Sequence, residues 1–409
     1  MKKISDSKLI KHIVEEVQKR GVVGEEDSIM VLTLKIMLRL VRNANPTSSN
    51  VLVSDTTGGG KDFLTKNTCQ VLLQEDKTYF HRTALSPKVL NYWQPRDSTG
   101  KFTTWNGKVL YLEDPEEDLI KCQAFKIMAS GETKMTVVKD QKVLDRKIDG
   151  KPVIIVTSMK TQIDVEGQRR WDAIRVDTSQ QLSKLVVDSS LQRAMGIQPK
   201  TITDEQFCSL LQTLQPYEVI IPWANELLKT FSNPRMVERT QVNKLLDYIK
   251  ASAVLHQYNR KTDSDNRLIA EKQDYELARF AYIQLRNKEG NALNKQEEEL
   301  LDYLRAKAEP IKLNQITTDL NNVSKDWLFK HKDDMVEKGI VSTVTKFDAG
   351  ANREIEHLEA VHGAKLTKDL PSGKVLLKQK DYLSSGQLYR DINDERKQRK
   401  LLPIFEKVL

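Results

Sequence analysis

The segment that most restricts the fold is Asp55-Thr-Thr57-Gly58-Gly59-Gly60-Lys61-Asp62, set between the apolar run Val51-Leu-Val53 and a helical pattern from Lys61 to about Leu73. A strand, a glycine-rich loop and a helix in that order aim successive backbone N–H groups at one point, and glycine permits close approach to the backbone. The helix N-terminus adds a partial positive charge and Lys61 a full one, so the natural occupant is a phosphate-like anion. Against the pattern G-x-x-x-x-G-K-[ST], Asp55 stands at the first glycine and Asp62 at the hydroxyl residue. A carboxylate at position 62 still offers oxygen to magnesium. Consecutive glycines also suit an ordinary turn, so the reading depends on partners elsewhere in the chain.

Those partners follow in order. Val109-Leu-Tyr-Leu112 ends in Glu113-Asp114, the form of strand that delivers one acid to magnesium and a second to an attacking water. Glu116, Glu117 and Asp118 leave the identity of the base open by a few residues. Val153-Ile-Ile-Val156 ends in Thr157-Ser158, polar groups placed to orient a water. Arg169 and Arg170 precede the strand pattern Ala173-Ile-Arg-Val176, and an arginine supplied across a subunit boundary stabilises a transferring phosphoryl group. Thr78-Tyr-Phe80 adds another short strand. Continuous apolar runs separated by helical stretches predict strands buried on both faces, hence an α/β domain with a mainly parallel sheet up to about residue 190.

A chain of 409 residues exceeds one compact core, so two or three domains are expected. Its net charge of +8 is moderate, which concentrates the search for basic character on local patches. Apolar runs fall far short of the ~20 residues of a spanning helix, and the N-terminus has no signal-like stretch, so a cytoplasmic protein with no membrane partner is expected. Cys69, Cys122 and Cys208 lie far apart in no metal-like or disulfide pattern, as in a reducing compartment.

Residues 7 to 20 read as a helix ending at Gly21, and 27 to 42 as a more buried one with Asp27 or Ser28 as N-cap. After residue 200 the pattern is helical, broken at Gln215-Pro216, at Asn233-Pro234 and from Asn287 to Asn291. Helices from Gln296 to about Ala308, Leu313 to Leu320 and Lys325 to Glu337 precede the β-like Ile340 to Lys346, an arrangement that predicts a winged helix. Lys325, Lys330 and Lys332 are expected to face a groove while Trp327, Leu328 and Met335 pack inward. Beyond residue 348 only the solvated charge run Asp394 to Lys400 is readable.

In this order the motifs resemble the AAA+ P-loop ATPase module, and within it the minichromosome-maintenance and superfamily-three helicases, over roughly residues 25 to 260. Met135 to Lys142, a turn, and Arg146 to Lys151 look like the β-hairpin that this branch points into its pore. Val237 to Lys250 resembles the helix that opens with the sensor-2 arginine. Thr83 to Leu90 and Ala251 to Arg260 look like segments of helicase-like proteins of mobile elements or viruses.

The patterns and the resemblance together divide the chain into an N-terminal helix (1–24), an AAA+ core (25–190), a helical lid with connecting helices (191–290), a winged-helix domain (291–350) and a C-terminal extension (351–409). The resemblance implies ATP and Mg2+ as cofactors, with nucleotide contacts from Thr57, Gly58, Gly59, Gly60, Lys61, Asp62 and Phe63 and metal contacts from Asp62 and Glu113. Asp114 would activate water, Thr157 or Ser158 would be sensor 1, Arg169 or Arg170 the finger, and Arg239 sensor 2, with Arg235 competing. Lys139 and Lys142 would track DNA phosphates. The implied activity is ATP-driven translocation on DNA by a homo-oligomer, a hexameric ring of the replicative helicase type. The alternatives are an AAA+ switch that binds origins or loads a helicase, and a DNA-binding adaptor that does not hydrolyse ATP.

Overall fold

A computed structural model describes residues 6–54, 59–131, 134–139, 142–158, 171–196, 203–229, 236–290, 295–307, 309–320, 322–337, 341–348, 353–360 and 370. The described residues divide into two compact units, one within 1–232 and 240–284, the other within 233–239 and 285–370.

The first unit is α/β. Strands β1 (Val51–Ser54), β2 (Tyr79–Arg82), β3 (Val109–Glu113), β6 (Val153–Ser158) and β7 (Asp172–Arg175) form a five-stranded sheet in the order β2-β3-β6-β1-β7. Every pairing within it is parallel. The apolar runs become buried strands because both faces are covered. Leu52, Leu110, Leu112, Ile154 and Val156 pack with Phe80, Trp105, Phe125, Met128 and Trp171 on one face. The alternate residues, among them Val53, Tyr79, Tyr111 and Ile155, are equally buried on the other. Helices α1 (Asp6–Lys19), α2 (Glu26–Met37) and α3 (Lys61–Leu72) pack together, with α3 against β1 and α2 against β7. In α1, Ile10, Ile13, Val14 and Val17 are buried at the helical period.

Helix α2 begins earlier than its composition suggests. Its N-cap is Glu25, in the left-handed region, and neither Asp27 nor Ser28 caps it. The Glu25 carboxylate instead accepts a hydrogen bond from Asp177 N at 2.6 Å, tying the helix start to the chain leaving β7. After α4 (Glu117–Lys121) and α5 (Gln123–Ser130) comes the expected hairpin, β4 (Lys134–Lys139) with β5 (Lys142–Lys147). Its turn lies before Lys142 rather than after it, because Val137 and Val138 pair with Leu144 and Val143. The rest of this unit comprises α6 (Gln180–Ala194), α7 (Glu205–Gln212), the pair β8 (Val219–Ile220) and β9 (Leu268–Ile269), α8 (Met236–Leu255) from residue 240 onward and α9 (Asp274–Gly290) as far as residue 284. The break expected from Asn287 does not occur; α9 runs to Gly290.

Buried charge fastens α8 to the sheet. Asp172 accepts hydrogen bonds from Lys35, Lys244 and the Tyr248 hydroxyl, with Lys244 Nζ at 2.6 Å. Burial alone would raise its carboxyl, but the Lys244 and Lys35 charges outweigh burial and hold it below the usual carboxylate range.

The second unit contains α10 (Lys295–Lys307), β10 (Ile311–Lys312), α11 (Leu313–Asp319), α12 (Lys325–Glu337), β11 (Val341–Asp348) and β12 (Arg353–Ala360), with an antiparallel sheet in the order β10-β12-β11. Leu300, Leu304, Ile316, Leu328, Met335, Val341 and Leu358 form its core. Strand β12 falls where the sequence offers no assignment. On α12, Lys325 and Lys330 are exposed, whereas Lys332 is half-buried and bonded to Glu356 of β12. Among the described residues no helix is long and apolar enough to cross a membrane.

A second buried carboxylate predicts a pH response. Arg260 Nε and Nη2 hold Asp274 at 2.8 and 2.7 Å, and Ser252 Oγ donates to it at 2.7 Å. Burial would raise this carboxyl; hydrogen bonds from Arg260 and His256 reverse that and bring it down to about 2. A carboxyl depressed below its unfolded value of ~3.9 stabilises fully above that value and loses the contribution as pH falls through the folded one. Urea midpoints should therefore drop between about pH 4 and pH 2. Asp274→Asn should lose about 3 kcal/mol at neutral pH and show a shallower acid slope; an unchanged slope would refute the assignment.

Candidate functional site

Parallel strands bring their C-terminal ends to one edge of the sheet. Register pairs Val53 and Ser54 of β1 with Thr157 and Ser158 of β6, and Thr157 in turn with Glu113 of β3. The end of the strand before the glycine loop, the acid pair and the Thr157-Ser158 pair thus share one edge. Asp55, Thr56, Thr57 and Gly58 lie outside the described residues. Gly60 has φ 84, the left-handed region that favours glycine, and precedes α3 as an N-cap without a side-chain cap. The first N–H groups of α3 therefore have no side-chain acceptor from the cap residue.

Lys61, buried at the start of α3, lies 3.4 Å from Asp62 Oδ2 and 3.2 Å from Asp114 Oδ2. Burial pulls its ammonium down, but Asp114 and Asp62 together raise it above the ordinary lysine value, so it carries charge at neutral pH. The Tyr111 hydroxyl donates to Asp62 Oδ1 at 3.1 Å and lies 3.4 Å from Thr157 Oγ1. Asp114 N donates to Thr157 O at 3.1 Å and reaches Thr157 Oγ1 at 3.4 Å. Asp114 has φ 40, a strained backbone for a non-glycine residue, which holds its carboxylate toward Lys61 and away from the line of β3. Glu113 turns elsewhere. Its Oε2 meets His81 Nε2 at 2.7 Å, and the His81 ring stacks on Tyr111 with centroids 4.7 Å apart.

Lys61, Asp62, Asp114 and Thr157 thus come together, with Glu113 one residue away on His81. Ser158 ends β6 in a half-buried position. Phe63 is 48% exposed in the first turn of α3, with its ring edge beside Gly21. Lys139 and Lys142 are register partners beside the hairpin turn, though their side chains lie outside the described residues. Arg169, Arg170 and Arg235 also lie outside, and Arg239 is placed only as a backbone position in α8.

The sequence reading missed His81 and Tyr111. Their signal is a polar or aromatic residue at alternate positions of otherwise apolar strands, which puts His81, Tyr111 and Glu113 on one face. It also missed the loop before β3, where the Arg96 guanidinium lies 4.1 Å over a Phe102 ring that is 61% exposed.

Chemically, the cluster is one ammonium matched by two carboxylates at a helix N-terminus. A polyphosphate can take the lysine from its carboxylates and leave their oxygens for a hard divalent cation. Ser54 Oγ, buried at the end of β1, has no hydrogen-bond partner among the described residues and is a further oxygen at the loop's base.

No protein-family model matches the chain, and no curated protein matches it. Among solved structures it is similar to one from Cytophaga hutchinsonii named a "putative ATPase", at 13% identity and a TM-score of 0.38, over 71% of this chain and 92% of that one. At that identity and TM-score the likeness assigns no activity to this chain.

The hydroxyl bridge from Asp62 through Tyr111 to Thr157 predicts non-additive mutations. Tyr111→Phe and Thr157→Val should each cost about 1 kcal/mol in urea unfolding. Together they should cost less than the sum, by roughly 0.5 kcal/mol or more. Strict additivity would show that the two hydroxyls do not interact.

Proposed function

We propose that this chain is a magnesium-dependent P-loop ATPase of the AAA+ kind that does ATP-driven work on DNA, as a ring-forming helicase. The observation that carries the reading is the Lys61–Asp62–Asp114 cluster, set where Gly60, the N-terminus of α3 and the Thr157-bearing strand end come together. Lys61 would neutralise phosphate, and the backbone N–H groups opening α3 would cradle it. Sequence order puts Glu113 on the metal; the contacts favour Asp62 and Asp114 instead, because these two already lie on Lys61. When bound, magnesium supplies charge neutralisation of the phosphates and a fixed coordination geometry. Glu113, held by His81, would act on water once that contact is given up. Arginines 169, 170 and 239 complete the proposal as groups that sense the γ-phosphate.

DNA as the second ligand is supported by charge and aromatic exposure. The hairpin register sets Lys134 opposite Lys147 and Lys139 opposite Lys142. Like charges directly across a strand pair are unfavourable, and a polyanion turns that repulsion into attraction. Phe102 beneath Arg96 is the kind of exposed ring on which an unpaired base stacks. In the second unit, the order helix, strand, helix, helix, hairpin supports the winged-helix reading. Its α12 carries Asp326, Phe329 and Asp333 among the exposed lysines, a mixed surface that suits protein contact better than phosphate. A second reading, a slowly turning-over ATP switch, is favoured by Asp62 in place of a hydroxyl residue.

Lys61→Ala should abolish magnesium-dependent ATP turnover while leaving urea stability near that of the parent protein. Absence of any ATPase in the parent, with or without single-stranded DNA, would end the motor reading. Lys139→Ala with Lys142→Ala should weaken DNA binding and lower the slope of log K against log salt by about 0.7 for each phosphate no longer neutralised. An unaltered slope would remove the hairpin from the DNA site.

A further inference from the structure

The hairpin β4–β5 is tied at both ends to a single residue, and that residue opens the strand that carries the glycine loop. Asn50 lies immediately before β1. Its Nδ2 donates to Ala129 O at 2.8 Å, in the last turn of α5 where the chain leaves for β4. Its Oδ1 accepts from Lys151 Nζ at 2.7 Å, where the chain returns from β5 into β6. Its backbone carbonyl accepts from Asp172 N at 3.2 Å. A further contact closes the stem. Gly131, φ 77, packs so tightly on Pro46 that a Cβ there would lie 2.4 Å from Pro46 Cβ.

Lys151 is an uneconomical way to make a mere anchor. Its ammonium also donates to Ser49 Oγ at 3.1 Å and to Pro152 O at 2.6 Å, so its partners here are all neutral. Burial, reinforced by the Lys35 charge, lowers the amine to about 7. An apolar side chain of similar length would fill the site without the desolvation cost of a charge. What lysine adds is one donor group that joins the hairpin stem to Ser49 and Asn50 together.

From Asn50 to Ser54 the chain is one extended strand of about 13 Å, with the hairpin stem at one end and the glycine loop at the other. β1 is central in the sheet, bonded on both sides by β6 and β7, so it transmits displacement along its length with little give.

We propose that Asn50, together with Lys151, is a positioning residue that couples the hairpin to the glycine loop through β1, so that load on the hairpin and occupancy of the loop change one another. This rests on the proposed ATP and DNA ligands. A coupling between two binding sites is reciprocal, so each ligand must shift the affinity of the other by the same factor.

The test measures the Kd of a single-stranded oligo-dT, by fluorescence anisotropy at fixed salt, with and without a non-hydrolysable ATP analogue and magnesium. ATPase rates with and without the oligonucleotide are measured in parallel. The parent protein should show a nucleotide-dependent change in Kd of roughly fivefold or more. In Asn50→Ala, and independently in Lys151→Met should the first fail to fold, that factor should fall to about one, and DNA stimulation of the ATPase should vanish with it. Basal ATPase and nucleotide-free DNA affinity should stay within about twofold of the parent. Coupling undiminished in a folded variant overturns the inference and leaves the ATP and DNA reading standing. Parallel loss of basal and stimulated turnover marks a structural anchor only and overturns it as well. A parent protein that binds neither ligand overturns the underlying reading.

Discussion

With β6 hydrogen-bonded between β1 and β3, and all three strands parallel, every chemically capable strand end falls on one edge of the sheet. Ser54, Glu113, Thr157 and Ser158 come from three separate stretches of chain and become neighbours by register alone. A different strand order would leave the same residues on the same elements, apart from one another. The hydrogen bond from Asp114 N to Thr157 O extends this pairing one residue past β3, and from there the strained φ of Asp114 turns its carboxylate onto Lys61.

The opposite edge of the sheet is held by charged groups of two kinds, one fully buried and one half-buried. Asp172 satisfies Lys35 and Lys244 at once, and removing it would leave two buried ammonium groups without their shared carboxylate. Lys151, linked to it through the 48–50 segment, has only neutral acceptors among the described residues. The first arrangement is rigid because each partner compensates another. The second is held by hydrogen bonds alone, two of which join the hairpin stem to the segment that opens β1.

Much of the fold was legible because strands buried on both faces leave continuous apolar runs; Val109–Leu112 and Val153–Val156 could hardly be anything else in so charged a chain. Helix starts were less so: α2 opens on Glu25, whose side chain serves Asp177 and not its own helix, a tertiary demand that no local propensity encodes. Strand β12 was illegible because Arg353-Glu-Ile-Glu-His-Leu-Glu-Ala alternates charge with weak apolar residues. Only pairing with both β10 and β11 buries Leu358. At the site, Lys61 and the acids could be read from spacing. The role of Tyr111 could not, since a tyrosine in an apolar strand reads as core until register sets its hydroxyl between Asp62 and Thr157.

Asp62 is the departure with the largest physical consequence. A loop with one lysine and a hydroxyl residue presents net positive charge to a polyphosphate. Here Lys61 is already matched by Asp62 and Asp114, so a polyphosphate arriving alone meets two carboxylates in a partly buried site, where like charges repel far more than in water. With magnesium bound, Asp62 and Asp114 would serve as its ligands instead of as obstacles, and its charge would offset theirs and the phosphates'. Under the proposed reading, then, nucleotide and magnesium must enter together. Tyr111 and Thr157 matter for the same reason: by holding Asp62 and the backbone of Asp114 in place while Lys61 swings to phosphate, they keep both acids aimed at one point instead of relaxing apart into solvent.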